Sequence, residues 1–121
     1  MDFKKILKEV VEGVEGGYAA TVMGMDGIAV QDYIKEGASC DIESLGVEYG
    51  KVMAEIRRAS ELLELGEVEE VVISLERNRV VMRPVGKDYF LALVLMREGN
   101  MGKGRYLLRR VATTIREDLL A

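Results

Sequence analysis

Residues 71 to 95 constrain this chain more than any other stretch, because three strand-like runs follow one another with only tight turns between them. Val71, Ile73 and Leu75 alternate with Val72 and Ser74. Residues 76–79 then turn the chain into the run 80–85, and Gly86-Lys87-Asp88 turns it into the run 89–95. Connections this short join antiparallel neighbours, since a parallel pair needs a long crossover. The last run is apolar on both faces, so it belongs at the centre of a sheet with helices on both sides. Pro84 cannot donate to a ladder and is placed at the end of its strand.

The remaining segments fit around that meander. Phe3, Ile6, Leu7, Val10 and Val14 recur at helical spacing, with Asp2 as cap and Gly13 as stop. Residues 18–23 and 28–33 are strand-like and flank Asp26-Gly27, the signature of a two-residue hairpin with both central residues at positive φ. In the second run Ile28 and Val30 alternate with Ala29 and Gln31, as in an edge strand. Asp41 caps a long second helix reaching about Leu65, with Gly66 as its stop. Its core stripe reads Ile42, Leu45, Tyr49, Val52, Met53, Ile56, Ala59 and Leu63. Asn100 caps a third helix with a stripe of Leu107, Leu108, Val111, Ala112, Ile115 and Leu119. The order α-β-β-α-β-β-β-α, with mainly antiparallel strands, is an α+β fold. The length of 121 residues and hydrophobic content of 49% suit one domain over 1–121.

Composition narrows the function. The 17 Lys and Arg against 21 Asp and Glu leave a net charge of -4, which argues against sequence-independent nucleic-acid binding. There is no His, and Cys40 is the single cysteine, so disulfides within the chain, Cys/His metal sites and His-assisted nucleophiles are excluded. Cys40, without a His or second Cys beside it, reads as structural. The segment 99–105 follows a strand and opens a helix, but Lys103 is followed by Gly104 and Arg97 stands where a Walker loop begins with Gly, so it is not a P-loop. No cofactor and no enzymatic activity are expected; a binding module is. The apolar run 90–96 is too short to span a bilayer, and Lys4, Lys5, Lys8, Glu9 and Glu12 interrupt the N-terminus where a signal peptide needs an apolar stretch. A cytoplasmic protein without direct membrane insertion is expected.

Four stretches in this order resemble the roadblock family, a profilin-like sandwich: residues 13–20, where the first helix gives way to a strand; 25–30, the first hairpin; 65–71, between the second helix and the third strand; and Asn100-Met101-Gly102 leading to Arg109-Arg110. The resemblance spans nearly the whole chain, and the single domain looks most like the MglB-type regulators of small Ras-like GTPases. Gly99 and Gly104 depart from it, since a more apolar loop is usual there. The resemblance implies a profilin-like roadblock sandwich with helices on both faces of a five-stranded sheet. It also implies homodimers or heterodimers in which third strands pair across the axis and second helices lie side by side. The expected function is a dimeric module that binds a small Ras-like (MglA-like) GTPase and stimulates its GTP hydrolysis; the alternative is a structural adaptor for roadblock-type assemblies.

Particular residues carry these expectations. Val71, Ile73 and Leu75 form an apolar edge that needs cover, and a second copy supplies it. Gly46, Gly50 and Ala54 make a small-residue stripe on the second helix. A helical Gly costs about 1 kcal/mol relative to Ala, so a close approach must compensate, either by the second helix of another copy or by the chain's own sheet. Arg57, Arg58 and Glu61 on the polar side are candidate GTPase contacts rather than catalytic groups, since the resemblance implies that the GTPase's own residues are realigned. Arg77 and Arg79 decorate a hairpin turn.

Overall fold

The computed structural model describes residues 1–119. The helices are α1 (Phe3–Glu12), α2 (Ile42–Leu62) and α3 (Met101–Leu119), and the strands β1 (Gly17–Gly24), β2 (Ala29–Ile34), β3 (Val71–Ser74), β4 (Asn78–Val85) and β5 (Tyr89–Met96). The strands form one antiparallel sheet in the order β2-β1-β5-β4-β3. The doubly apolar β5 takes the centre, and β2 and β3 are the edges. Pro84 lies next to the last residue of β4, opposite Phe90.

Two cores follow from the alternation of β1, β4 and β5. Val81, Val85, Leu91, Leu93 and Leu95 face α1 and α3, where they meet Leu7, Val10, Val11, Leu108 and Ile115. Met82, Phe90, Ala92, Val94 and Val80 face α2, where they meet Ile42 and Met53. The helices therefore lie on both sides of the sheet, two on one face and one on the other.

Local chemistry places the helix ends. Asp2 accepts from the Lys5 N–H and Asp41 from the Ser44 N–H, each at 3.1 Å. The bonds from Ser44 hold the Asp41 carboxyl below the usual carboxylate range. Asn100 accepts from the Lys103 N–H at 3.1 Å and starts α3. The glycine loop around it is closely packed: a Cβ on Gly99 would sit 2.6 Å from the Glu15 carbonyl, and one on Gly104 3.1 Å from Leu95. Gly104 is thus a seat for the leucines of β5 inside α3.

Two sequence readings change. The first hairpin is not a two-residue turn with both residues at positive φ. Gly27 alone is left-handed (φ 89), its N–H bonds to Gly24 O, and Asp26 instead accepts the Ile28 N–H through its side chain. A register shift between Val22 and Met23 absorbs the longer loop. The second helix ends at Leu62, before Gly66. Glu64 takes the left-handed position (φ 54), the Leu65 N–H reaches back to Ser60 O and the Glu64 N–H to Glu61 O. That pair of bonds is a Schellman closure, with a glutamate where glycine is usual.

The inner face of α2 is Ile42, Gly46, Gly50 and Met53, all buried. A Cβ on Gly46 would lie 2.7 Å from the Met23 methyl, and one on Gly50 3.1 Å from the Phe90 ring. Both glycines therefore bring α2 down onto β1 and β5 of its own sheet. An alanine at 50 gains helix propensity but presses on the ring; a leucine has nowhere to go. Gly50→Leu is expected to lower unfolding free energy by about 1–3 kcal/mol. Urea titrations at several protein concentrations check this: the loss should be the same at each.

Candidate functional site: the β3 edge and the flank of α2

Strand β3 pairs with β4 on one side only, leaving its other edge open. Val71 and Ile73 are half-buried against the α2-side core, while Val72 and Ser74 are exposed. The Leu75 N–H bonds to Asn78 O. By antiparallel alternation the backbone groups of Ile73 and Val71 also face β4, so those of Val72 and Ser74 face outward. Leu75, just past the strand, is 38% exposed.

On the same face of the sheet as Val71 and Ile73, α2 carries an apolar flank. The sequence stripe splits in two here. Ile42 and Met53 are buried with the glycines, whereas Leu45, Tyr49 and Ile56 are half-buried and Ala59 is exposed. Val52 is 46% exposed and Leu63, just past the helix, 68%. The signal was present as the spacing 45, 49, 52, 56, 59 and 63, a strict alternation of four and three residues. This is the period of a helix–helix seam rather than of a helix lying on a sheet. The inward positions are filled by glycines, which carry no hydrophobic signal, so periodicity alone merges the two faces. Gly46 and Gly50, one of the two candidate helix–helix contacts, thus belong to the chain's own sheet, and Ala54 is exposed.

The other singled-out residues are more dispersed. Arg57 turns to the β4–β5 hairpin and donates to the carbonyls of Gly86 and Lys87, at 3.2 Å each. Arg58 pairs with Glu55 at 3.2 Å along the exposed face, a surface pair of little energetic weight. Glu61 is exposed beside it. Arg79 is not a turn residue: it lies in β4, and its Nε is buried without a partner among the described residues. Burial, and then the neighbouring Asp41 charge, push the Cys40 thiol up, which opposes a nucleophilic role. No group of three or more potential metal ligands occurs among the described residues.

A five-stranded antiparallel sheet sandwiched by helices, with an open edge strand at β3, defines a profilin-like fold. Acanthamoeba castellanii profilin IA shares this fold with a TM-score of 0.58 over 97% of this chain and 98% of its own, at 15% identity. No protein-family model matches the chain, and no curated protein does. Among solved structures, MglC from Myxococcus xanthus is 44% identical over 98% of this chain and 99% of its own, with a TM-score of 0.70. The Roadblock/LC7 domain from Streptomyces avermitilis superposes with a TM-score of 0.87 at 19% identity, covering 100% of both chains. The gliding protein MglB from Thermus thermophilus reaches 0.83 at 18% identity, over 93% of this chain and 84% of its own. The chain belongs to the roadblock/LC7 family. Within it, sequence likeness is greater to MglC than to this MglB, which refines the MglB-type resemblance. No helix of the described residues is long and apolar enough to cross a membrane.

The Arg57 bonds give a test of its structural role. Arg57→Ala is expected to loosen the β4–β5 hairpin and cost about 1 kcal/mol. Amide hydrogen exchange should quicken at Lys87 and Asp88 and stay unchanged in α1; uniform exchange rates would refute the link.

Proposed function

We propose that this chain is a dimeric regulatory module of a Ras-like GTPase system. Two copies join through their β3 edges and α2 flanks, and the paired α2 helices form the surface that binds a small Ras-like GTPase. The observation that carries this reading is that the open β3 edge and the half-exposed flank of α2 border the same core on one face of the sheet. The flank spacing also reads the same from either end. Two antiparallel helices centred on Ala54 therefore set Leu45 against Leu63 of the second copy, Tyr49 against Ala59 and Val52 against Ile56. Within that seam Tyr49 meets the small Ala59, while Leu45 with Leu63 and Val52 with Ile56 pair side chains of similar size. Together with a β3–β3 ladder, such a contact should bury more than about 1,000 Å². Val71, Ile73 and Leu75 then act through side-chain burial under the joined helices, and Val72 and Ser74 through the backbone.

This geometry directs the choice of mutations. Ile73→Pro would break the ladder to β4 inside the monomer, so it cannot isolate the dimer. Val72→Pro removes a donor that faces outward, and Val52→Asp puts a charge into the seam. Both are expected to convert a dimer to a monomer in sedimentation velocity while leaving far-ultraviolet circular dichroism intact. A wild type that sediments as a monomer at micromolar concentration would overturn the proposal.

The module supplies no catalytic group to GTP hydrolysis in this reading. Arg57 is engaged by two backbone carbonyls and Arg58 by Glu55, so neither stands free as a finger. Arg58 and Glu61 are contact residues on the outer surface of the helix pair. Regulation then requires unequal affinity for the GTP-bound and GDP-bound partner, since equal affinity shifts nothing. A second reading, an adaptor that joins roadblock-type subunits without altering turnover, is favoured by the backbone character of the β3 edge. Another roadblock chain with the same edge fits where the second copy does.

Single-turnover GTP hydrolysis by the small Ras-like GTPase of the same organism tests the first reading. The dimer should bind the GTP form more tightly and raise the rate. Arg58→Ala should weaken binding yet keep the rate at saturation. Equal binding of both forms with an unchanged rate would leave the adaptor reading.

A further inference from the structure

At the C-terminal end of α2, a cleft of about 570 Å³ opens between the flank of α3, the β4–β5 hairpin and the segment 67–69. Arg57, Arg83, Lys87, Arg109 and Arg116 line it, with Glu67 and Glu69 its only carboxylates. A chain with more acid than base thus gathers five of its 17 cationic residues in one place. They come from α2, β4, the hairpin and α3, so no local run of sequence announces them. Arg57 and Arg83 donate to backbone carbonyls. Lys87, Arg109 and Arg116 have no carboxylate within ion-pair distance among the described residues. Like charges sharing one cleft repel one another, and Glu67 and Glu69 offset only part of that repulsion.

The adjoining surface holds a carboxylate of the chain itself. Glu70, at the end of the chain's own acidic segment, accepts from Arg105 at 2.7 Å and lies 4.0 Å from Arg83. The carbonyl of Glu69 accepts from Arg83 at 2.8 Å. Arg105 on α3 and Arg83 on β4 thus hold this segment by the Glu70 side-chain carboxylate and the Glu69 backbone carbonyl. Arg105, Arg109 and Arg116 share one side of α3 over about 16 Å, the length of about five extended residues. The Arg105 end is occupied by Glu70, and the Arg109–Arg116 end is open.

We propose that this cleft binds an extended acidic segment of a partner protein, whose carboxylates pair with Arg109, Arg116 and Lys87 as Glu70 pairs with Arg105. The charges are strung along a groove rather than focused on one point, which suits a line of carboxylates better than a single phosphate. The groove follows the C-terminal half of α3, where no free N–H groups converge as a phosphate would require. A concave cleft also fits a chain segment better than a lipid surface. Each exposed pair contributes little, so binding depends on several pairs together and falls as salt rises.

Fluorescence anisotropy with a short labelled peptide of alternating Glu and Ser tests this on the full chain. Saturable binding should weaken by at least about tenfold in Arg109→Glu with Arg116→Glu. It should also weaken with added sodium chloride, and change less than about twofold in Arg110→Glu, a reversal on the same helix but outside the cleft. Circular dichroism and sedimentation should match the wild type, which separates this site from the self-association surface. If the reversed pair misfolds, Arg109→Gln with Arg116→Gln takes its place. The proposal is overturned if the cleft variants bind like wild type or if Arg110→Glu loses as much. It is also overturned if tripolyphosphate or phosphatidylglycerol vesicles bind through Arg109 and Arg116 while the peptide does not.

Discussion

The close seat of α2 on β1 and β5 decides both what this protein buries and what it leaves open. Gly46 and Gly50 let the helix rest against Met23 and Phe90, with Ile42 and Met53 filling the ends of the contact. A helix that gives its inward positions to glycine has to carry its larger apolar residues to one side. Leu45, Tyr49, Val52 and Ile56 are displaced in this way to the flank, where only part of their surface is covered. The cost of glycine inside a helix is offset by the burial of Phe90 and by the creation of that flank.

The two faces of the sheet differ as a result. Helices α1 and α3 together bury the leucines of β5, and their core is closed. The other face has one helix, and cover thins towards β3, where Val71 and Ile73 are half-buried and the strand's outer edge is unpaired. An open edge with apolar flanking residues is a template for pairing unless charge or cover blunts it. The four residues of β3 keep that template short. A short edge alone gives weak association, and in the proposed dimer the α2 flank adds the apolar area that a stable contact needs.

The arginines show how position sets role. Arg57 directs its donors to the β4–β5 hairpin and is part of the scaffold, as its place on the helical wheel between Gly46 and Gly50 on the sheet-facing side requires. Arg83 and Arg105 hold the acidic segment that leads into β3 and so fix where the edge strand begins. Arg109 and Arg116 lie on the same side of α3 with no such duty among the described residues.

The sequence by itself determined the order of elements, the antiparallel sheet, the central place of β5 and the edge position of β2, because these rest on local period, turn residues and two-sided hydrophobicity. It also carried the family resemblance through the order of four short stretches. The hairpin at Asp26-Gly27 and the end of α2 were misread where a side-chain hydrogen bond or a left-handed glutamate replaced the usual glycine chemistry. Only the tertiary structure decided which side of α2 faces the sheet, since glycine gives no hydrophobic signal and two stripes merge into one period. Only it brought Arg57, Arg83, Lys87, Arg109 and Arg116 to one cleft, because charge gathered across four elements leaves no trace in any local window. The outward direction of Val72 and Ser74 likewise follows from ladder registry with β4, a relation between two strands that alternation within one strand cannot supply.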